Sequence, residues 1–186
     1  MAQIDRQQKR EHVIEFLNRA RALELNAIAQ YMNHHYNLDA MDFGDMAKNV
    51  KLIAIDEMRH AEMFAERIGE LGGEPTTQPQ GKPATDGDPG FMFKSNAHLE
   101  DGAILSYNEF LLGCRQNGDS ISAKLFEEIL DDEQAHFNYF ENIRRHISQL
   151  GETYLAQIAG TPSATGIQYQ GFVERQGAGG GQGTDV

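Results

Sequence analysis

Cysteine is almost absent from this sequence, since Cys114 is the only one in 186 residues. A single cysteine cannot form a disulfide within its own chain, and it excludes zinc and iron–sulfur sites that need several thiolates from one chain. We expect Cys114 to be a small buried apolar residue.

Long apolar runs are also missing. No stretch approaches the roughly 18 consecutive apolar residues that indicate a membrane-spanning helix. The first residues, MAQIDRQQKREH, are polar and mixed in charge, and they lack the apolar stretch of a secretory signal. These absences predict a cytoplasmic protein without a membrane partner.

Basic residues are scarce, because 16 Lys and Arg stand against 28 Asp and Glu, for a net charge of −12. Nucleic acids and anionic membranes bind basic surfaces, so neither is an expected partner. The acidic balance is compatible with attracting cations, although an ordinary solvated surface has the same composition.

Proline is rare outside one segment, residues 72–90 (GGEPTTQPQGKPATDGDPG), which holds four of the five prolines. Around this segment, apolar residues recur at steps of three and four, which predicts amphipathic helices. The predicted helices run from about Asp5 to Asn37, from just after Gly44 to near Leu71, from about Ser95 to Asn117, from Ser120 to about Leu150, and from Tyr154 to Ala159.

The connections between these helices predict their arrangement. A short first connection makes the first two helices antiparallel neighbours. The proline-rich segment, at up to ~3.3 Å per residue, is long enough to return along a whole helix, so the third helix can run parallel to the second. We therefore predict an all-α antiparallel four-helix bundle with a long crossover between helices 2 and 3 and a short C-terminal fifth helix. Residues 1–160 form this domain, and residues 161–186 form a glycine-rich tail.

A carboxylate and an imidazole three residues apart mark the second helix. Glu57 and His60 stand about 60° apart on one helical face, one turn apart along the axis, and can therefore bind one metal ion together. Glu133 and His136 repeat this pair at an offset of 76 residues (133 − 57 = 76). The same offset also pairs Glu24 with Glu100, Tyr31 with Tyr107, and Asp56 with Asp132.

The repeat predicts two copies of a helical pair that together place six ligands inside the bundle: Glu24, Glu57, His60, Glu100, Glu133 and His136. This is the ligand set of ferritin-like di-iron carboxylate bundles. Four carboxylates neutralise two divalent ions in a buried site. Oxygen donors with one imidazole per metal favour iron or manganese, although zinc can occupy such sites.

Several side chains around the ligands suggest supporting roles. Tyr31 and Tyr107 follow Glu24 and Glu100 by nearly two turns and face the same interior side. Either tyrosine can hydrogen-bond a ligand carboxylate or donate an electron, and packing in the core is the simpler alternative. Asp56 and Asp132 are candidates to accept the free N–H of a ligand histidine on another helix.

The other five histidines lack a mirrored partner, and we expect most of them to lie at the surface: His12, His34, His35, His98 and His146.

To about residue 160, the chain resembles the bacterioferritins in its six ligand positions and its long crossover. Met58 strengthens the resemblance, because it lies between Glu57 and His60 but points away from the metal side of the helix, and its counterpart in the repeat is Gln134. The resemblance implies that Met58 and its twin in a second subunit ligate the iron of a haem or related porphyrin. The alternative is a methionine packed in an ordinary helix interface.

The resemblance also implies a shell of 24 subunits built from two-fold dimers, in which Fe(II) is oxidised at a di-iron centre and ferric mineral is stored. It implies that Glu57 and Glu133 bridge the metals, that Glu24 and Glu100 are terminal ligands, and that an electron donor releases the iron. Some family members carry a histidine four residues before the aspartate of this motif, for an inner-surface iron site. Leu52 stands there in this chain, which makes that transfer route doubtful.

Two other functions remain open from the sequence. One is a di-iron peroxidase of the rubrerythrin kind, which does not store iron. The single cysteine counts against it, because no Cys-x-x-Cys pair is present to supply electrons. The other is a metal-binding bundle without catalysis, for example one that contains zinc.

Overall fold

Five helices make up the regular structure of the described part of the chain, and the predicted all-α four-helix bundle is confirmed. The computed structural model describes residues 2–161 and 171–172. The helices are α1 (Ala2–Ala40), α2 (Gly44–Glu70), α3 (Pro89–Gln116), α4 (Ser120–Leu150) and the short α5 (Glu152–Ile158). Helix α1 packs mainly on α2, and α3 packs mainly on α4. Among the described residues, no helix combines the length and the apolar character needed to cross a membrane.

The start of α3 differs from the prediction, because the helix begins at Pro89 and not near Ser95. The Asp88 side chain caps it by accepting the Phe91 N–H at 2.8 Å. Proline is well tolerated at the first position, where a backbone N–H would have no partner within the helix. The same capping starts α4 as predicted, since the Asp119 carboxylate accepts the N–H groups of Ile121 and Ser122.

The crossover of residues 72–88 lies along α1. The Asn18 side chain accepts the Thr76 N–H at 2.7 Å, the Ala22 carbonyl accepts the Gln80 N–H at 2.7 Å, and the Gln30 side chain accepts the Ala84 N–H at 2.8 Å. Because these contacts advance along α1, the crossover returns the chain to the end where α2 began. The predicted parallel course of α2 and α3 follows from this path.

Two buried histidines depart from the surface positions expected for most of the unpaired ones. His34 and His35 are 0% and 7% exposed. His34 Nδ1 lies 2.8 Å from Asn96 Oδ1, and His35 Nδ1 lies 2.8 Å from the Ala47 carbonyl oxygen. His12, His98 and His146 are exposed as expected. The spacing of His34 and His35 from buried Tyr31 was the signal for their burial, because residues three and four apart share a helix face.

The apolar core forms two layers separated by a polar one. One layer surrounds Phe64 and Phe126, and the other surrounds Ile53 and Phe140. In each long helix, the metal-ligand candidates lie between residues of the first layer and residues of the second. Cys114 is buried as predicted, and burial raises the pKa of its thiol to about 12.

The predicted domain boundary at residue 160 remains a prediction. Residues 162–170 and 173–186, most of the predicted tail, lie outside the described residues. Gly171 and Phe172 are described, and both are buried.

Close packing of α1 on α3 at Gly113 predicts a stability difference between two glycine substitutions. A Cβ at Gly113 would lie 2.5 Å from Cε2 of Phe16, whereas a Cβ at Gly102 meets nothing within 4 Å. Both positions are inside α3, so the gain in helix propensity is similar and cancels in the comparison. We expect Gly113→Ala to have a free energy of unfolding about 1–3 kcal/mol below that of Gly102→Ala, measured by guanidinium unfolding of metal-free protein. Equal stabilities would show that the Phe16 ring moves aside without cost.

Candidate metal centre

Four helices supply the six predicted ligands, and the fold brings all of them together. Helices α1 and α3 each contribute one glutamate, and α2 and α4 each contribute a Glu-x-x-His pair. The exposed fraction of every one of these residues is 2% or less: Glu24, Glu57, His60, Glu100, Glu133 and His136.

The ligand atoms form two overlapping groups of four. One contains Glu24, Glu57, His60 and Glu133, and the other contains Glu57, Glu100, Glu133 and His136; within each group the ligand atoms lie within 4.8 Å of one another. Glu57 and Glu133 belong to both groups. The geometry therefore offers two adjacent metal positions, each with one histidine and one glutamate of its own and two shared glutamates.

The histidine rings define the two positions through their Nδ1 atoms. His60 Nδ1 lies 3.0 Å from Glu57 Oε2 and 3.1 Å from Glu133 Oε1. His136 Nδ1 lies 3.2 Å from Glu57 Oε1 and 3.9 Å from Glu100 Oε2. Both imidazoles thus direct the same nitrogen at the carboxylates.

Unpaired buried atoms in the centre fit metal ions. Within the described part of the chain, Glu57 Oε1, Glu133 Oε1 and both ring nitrogens of His136 make no hydrogen bond of acceptable geometry, in spite of the short distances between them. An unsatisfied buried polar atom costs free energy, and a carboxylate oxygen or an imidazole nitrogen is satisfied equally well by a cation. The residues present therefore fit a pair of divalent ions of the di-iron carboxylate type.

Two buried tyrosines brace the terminal glutamates across the bundle. The Tyr31 hydroxyl on α1 donates to Glu100 Oε1 on α3 at 2.5 Å. The Tyr107 hydroxyl on α3 donates to Glu24 Oε1 on α1 at 2.6 Å. The hydrogen-bonding role considered from the sequence is thus found for both tyrosines, and it ties the two helical pairs together at the level of the metal centre.

The electrostatics of the metal-free centre reflect crowded negative charge in a dry interior. Burial, together with the charges of Glu133 and Glu57, raises the pKa of Glu24 well above its ordinary value. Burial and the same two carboxylates raise the pKa of Glu100 likewise. Burial also raises the pKa of Glu57, but His136 and His60 outweigh it, and the net pKa of Glu57 is lowered.

The histidines show the complementary effect. Burial lowers the pKa of the His136 imidazole, but the neighbouring carboxylates of Glu57 and Asp56 outweigh burial and raise this pKa to about 9. His60 behaves similarly, since hydrogen bonds to Asp132 and Glu57, together with the nearby Glu133 carboxylate, outweigh burial and raise its pKa. The raised pKa values of both imidazoles thus reflect the negative charge that surrounds them.

The outer nitrogens of both rings meet aspartates from the opposite helix, as the repeat predicts. His60 Nε2 lies 3.2 Å from Asp132 Oδ2, and His136 Nε2 lies 3.5 Å from Asp56 Oδ2. Such partners fix the orientation of a ligand imidazole and leave Nδ1 for the metal.

Phe172 was not predicted from the sequence. Its backbone N–H donates to Asp56 Oδ2 at 2.5 Å, and its ring centroid lies 6.3 Å from that of His136. Helical periodicity could not have found this contact, because Phe172 lies 36 residues beyond His136 in a glycine-rich segment.

Met58 lies on the opposite side of α2 from these ligands. It is 43% exposed, whereas its neighbour Glu57 is 1% exposed. The outward direction predicted from the helical angle is therefore found, and the side of α2 that carries Met58 is partly exposed.

Comparisons with known proteins agree with this geometry. The family model of the ferritin-like domain matches residues 14–150. The bacterioferritin of Desulfovibrio desulfuricans is 58% identical over 169 residues, which cover 91% of this chain and 94% of that protein. The bacterioferritin of Mycobacterium leprae is 33% identical over 151 residues, which cover 81% of this chain and 95% of that protein.

Two solved bacterioferritin structures have the same fold as this chain. The crystal structure of D. desulfuricans bacterioferritin in its "cycled" state, reduced in solution and allowed to reoxidise before crystallisation, has a TM-score of 0.85 and covers 90% of this chain and 98% of its own. Mycobacterium tuberculosis bacterioferritin has a TM-score of 0.75 at 32% identity, covering 79% of this chain and 93% of its own. With a buried Glu/His cluster of the di-iron type and this likeness along most of its length, the chain belongs to the bacterioferritins, a ferritin-like family of iron-storage proteins.

Proposed function

We propose that this protein is an iron-storage ferroxidase, which oxidises Fe(II) to Fe(III) at the buried centre and stores the ferric product as mineral inside an oligomeric shell. The observation that carries the proposal is the pair of overlapping ligand groups, each with one histidine and three glutamates. A centre with four carboxylates binds two divalent ions with charge balance, and it tolerates the trivalent product better than a centre with neutral ligands.

The substrate chemistry balances over a pair of ions. Each ferrous ion gives one electron, so two ions supply the two electrons that reduce dioxygen to hydrogen peroxide or hydrogen peroxide to two waters, with two protons taken up in either case. The iron carries the redox step, and the protein supplies placement and charge balance.

Each ligand has a role in this proposal. Glu57 and Glu133 are shared by both positions and would bridge the two ions, while Glu24 and Glu100 would each bind one ion. His60 and His136 would each complete one position. Tyr31 would hold Glu100 through the hydrogen bond at 2.5 Å, and it is the candidate to donate an electron near the centre.

Storage of iron mineral inside a shell requires that several copies of the chain assemble. We infer that the working form is a homo-oligomer of bacterioferritin type, a 24-subunit shell built from two-fold dimers, with iron released to an electron donor. We also infer a cytoplasmic location, with residues 1–160 as the bundle domain and residues 161–186 as a tail.

We further propose that Met58 and its twin from a second copy would ligate the iron of a haem or related porphyrin, which would supply one-electron transfer. Met58 is 43% exposed and lies on the outer face of α2, which fits this role because a second copy can approach it without disturbing the metal centre.

Iron oxidation tests the main proposal. Anaerobic protein is loaded with Fe(II) and exposed to oxygen, while oxygen uptake and bound iron are measured. We expect stoichiometric uptake and retention of far more than two irons per chain. We expect Glu57→Gln to oxidise iron at least about 100-fold more slowly, because loss of an outer partner alone costs 10–100-fold at many metal sites. Glu109→Gln, an exposed glutamate on α3, is the matched control and should oxidise iron at the wild-type rate.

The same experiment separates the alternatives. Turnover without iron retention would indicate a peroxidase of the rubrerythrin kind. An absence of oxidation would indicate a structural metal site, and the ferroxidase proposal would then be wrong.

Stability against pH tests the charge balance of the centre. The folded-state pKa of His136, about 9, lies above the ordinary value of 6.5, so its stabilising contribution is complete below pH 6.5 and is lost as the pH rises towards 9. We expect the free energy of unfolding of the metal-free protein to fall across this interval. With Co(II) bound it should not fall, because metal replaces the protons on its ligands. Guanidinium unfolding at pH 6.5, 7.5 and 9 measures how the free energy of unfolding changes with pH, with and without cobalt. The same change with pH in both samples would contradict the expectation.

The porphyrin proposal has a spectroscopic test. Protein produced with adequate iron and haem precursor should show a Soret band, and Met58→Leu should lose it while its iron oxidation rate stays at the wild-type value. Met41→Leu, with a methionine of similar exposure at 39%, should keep the band. Persistence of an unaltered band in Met58→Leu would refute the assignment.

A further inference from the structure

The metal centre has nearly two-fold internal symmetry, and it is broken at the outer aspartates. Asp132 beside His60 has a side chain that is 26% exposed, whereas the Asp56 side chain beside His136 is 0% exposed. Both aspartates face an Nε2 atom, at 3.2 Å for Asp132 and His60 and at 3.5 Å for Asp56 and His136. Some feature outside the repeat therefore covers one half of the centre.

That feature is the C-terminal segment Gly171–Phe172. The Phe172 N–H donates to Asp56 Oδ2 at 2.5 Å, and the Phe172 ring centroid lies 6.3 Å from His136 and 5.3 Å from Tyr139. Phe172 is only 8% exposed and belongs to the apolar core layer on this side of the centre. The segment thus contacts both the aspartate and the histidine ring that the aspartate orients.

Gly171 makes this close approach possible. A Cβ atom built on Gly171 would overlap the carboxylate of Asp56. Any other residue at position 171 would force the segment and the carboxylate apart. The absence of a side chain at Gly171 therefore leaves space for the backbone to approach Asp56, and the Phe172 N–H reaches the carboxylate.

This contact has a physical consequence for the metal ligand. The Phe172 N–H restricts the orientation of the Asp56 carboxylate, which lies 3.5 Å from His136 Nε2 and therefore limits the positions open to the imidazole. The apolar ring beside it also excludes water from this side of the centre. No comparable contact covers Asp132 among the described residues, so the His60 half lacks both effects.

We propose that Phe172 is a positioning residue that makes the two metal positions unequal, so that a divalent ion at the His136 position exchanges with solvent more slowly than an ion at the His60 position. The inference rests on the proposed function, because it assumes two ions in the centre. It assigns to the C-terminal segment a part in controlling metal movement that the four-helix bundle alone does not have.

Release of cobalt tests the inference without any redox step. The intact protein is loaded with two Co(II) per chain, mixed with excess EDTA, and followed by the visible absorbance of bound Co(II). We expect the absorbance of bound Co(II) in the wild type to decay in a fast and a slow phase of equal amplitude. In His136→Gln the slow phase should be lost. In Gly171→Ala the slow phase should become about tenfold faster, a factor that one lost hydrogen bond to a charged group can account for. The fast phase should not change.

Matched variants separate displacement of the segment from general damage. Gly69→Ala, where a Cβ meets nothing within 4 Å, should release cobalt as the wild type does. A chain ending at Gln170 should resemble Gly171→Ala, whereas a chain ending at Glu174, which keeps Gly171 and Phe172, should resemble the wild type. Phe172→Leu should retain a slow phase that Phe172→Gly loses, because the apolar cover is conserved only in the first.

The possible failures are distinguishable. If the wild type binds no pair of cobalt ions, the proposed function and this inference are both wrong. If two ions bind but leave in a single phase, or if Gly171→Ala and the chain ending at Gln170 keep wild-type kinetics, only the role of Phe172 is wrong.

Discussion

The burial of four carboxylates at one level of a helical bundle is the constraint on which the rest of this structure depends. Ionised carboxylates in a dry interior are very costly unless cations or protons balance them. The two histidines, the two tyrosine hydroxyls and the raised pKa values of Glu24 and Glu100 all reflect that requirement. Two divalent ions would satisfy it more completely than protons do, and for this reason the centre fits a pair of metal ions better than an ordinary polar layer would.

Such a layer can exist only where apolar packing on both sides compensates for it. The two core layers, around Phe64 and around Phe140, provide this packing and leave the ligands between them. The crossover contributes by lying along α1, where Asn18 and Gln30 hold its backbone. Rigid helices fixed in this way hold ligand atoms from four separate segments within 4.8 Å of one another.

The two halves of the chain repeat the same ligand pattern at an offset of 76 residues. Two differences between the halves affect the outer surface of α2 and the exposure of the aspartates beside the histidines. Met58 is exposed on the outer face of α2, while its counterpart in the repeat is Gln134. Asp56 is covered by Phe172, while Asp132 is partly exposed. A symmetric pair of helical units thus forms the centre, and departures from symmetry distinguish its outer surface and its two metal positions.

The sequence alone determined the fold class, which six candidate ligand side chains come together and the outward direction of Met58, because helical periodicity and a fixed offset of 76 residues are local or repeated signals. It did not place the first residue of α3, since Asp88 and Pro89 fit a loop as well as a helix start until capping is seen. Only the tertiary structure decided which tyrosine hydroxyl binds which glutamate, and that His34 and His35 are buried. The tertiary structure alone also decided the contact between Phe172 and Asp56, which are 116 positions apart in the chain. No periodicity encodes this contact, because it depends on the space beside Asp56 that a glycine at position 171 leaves open.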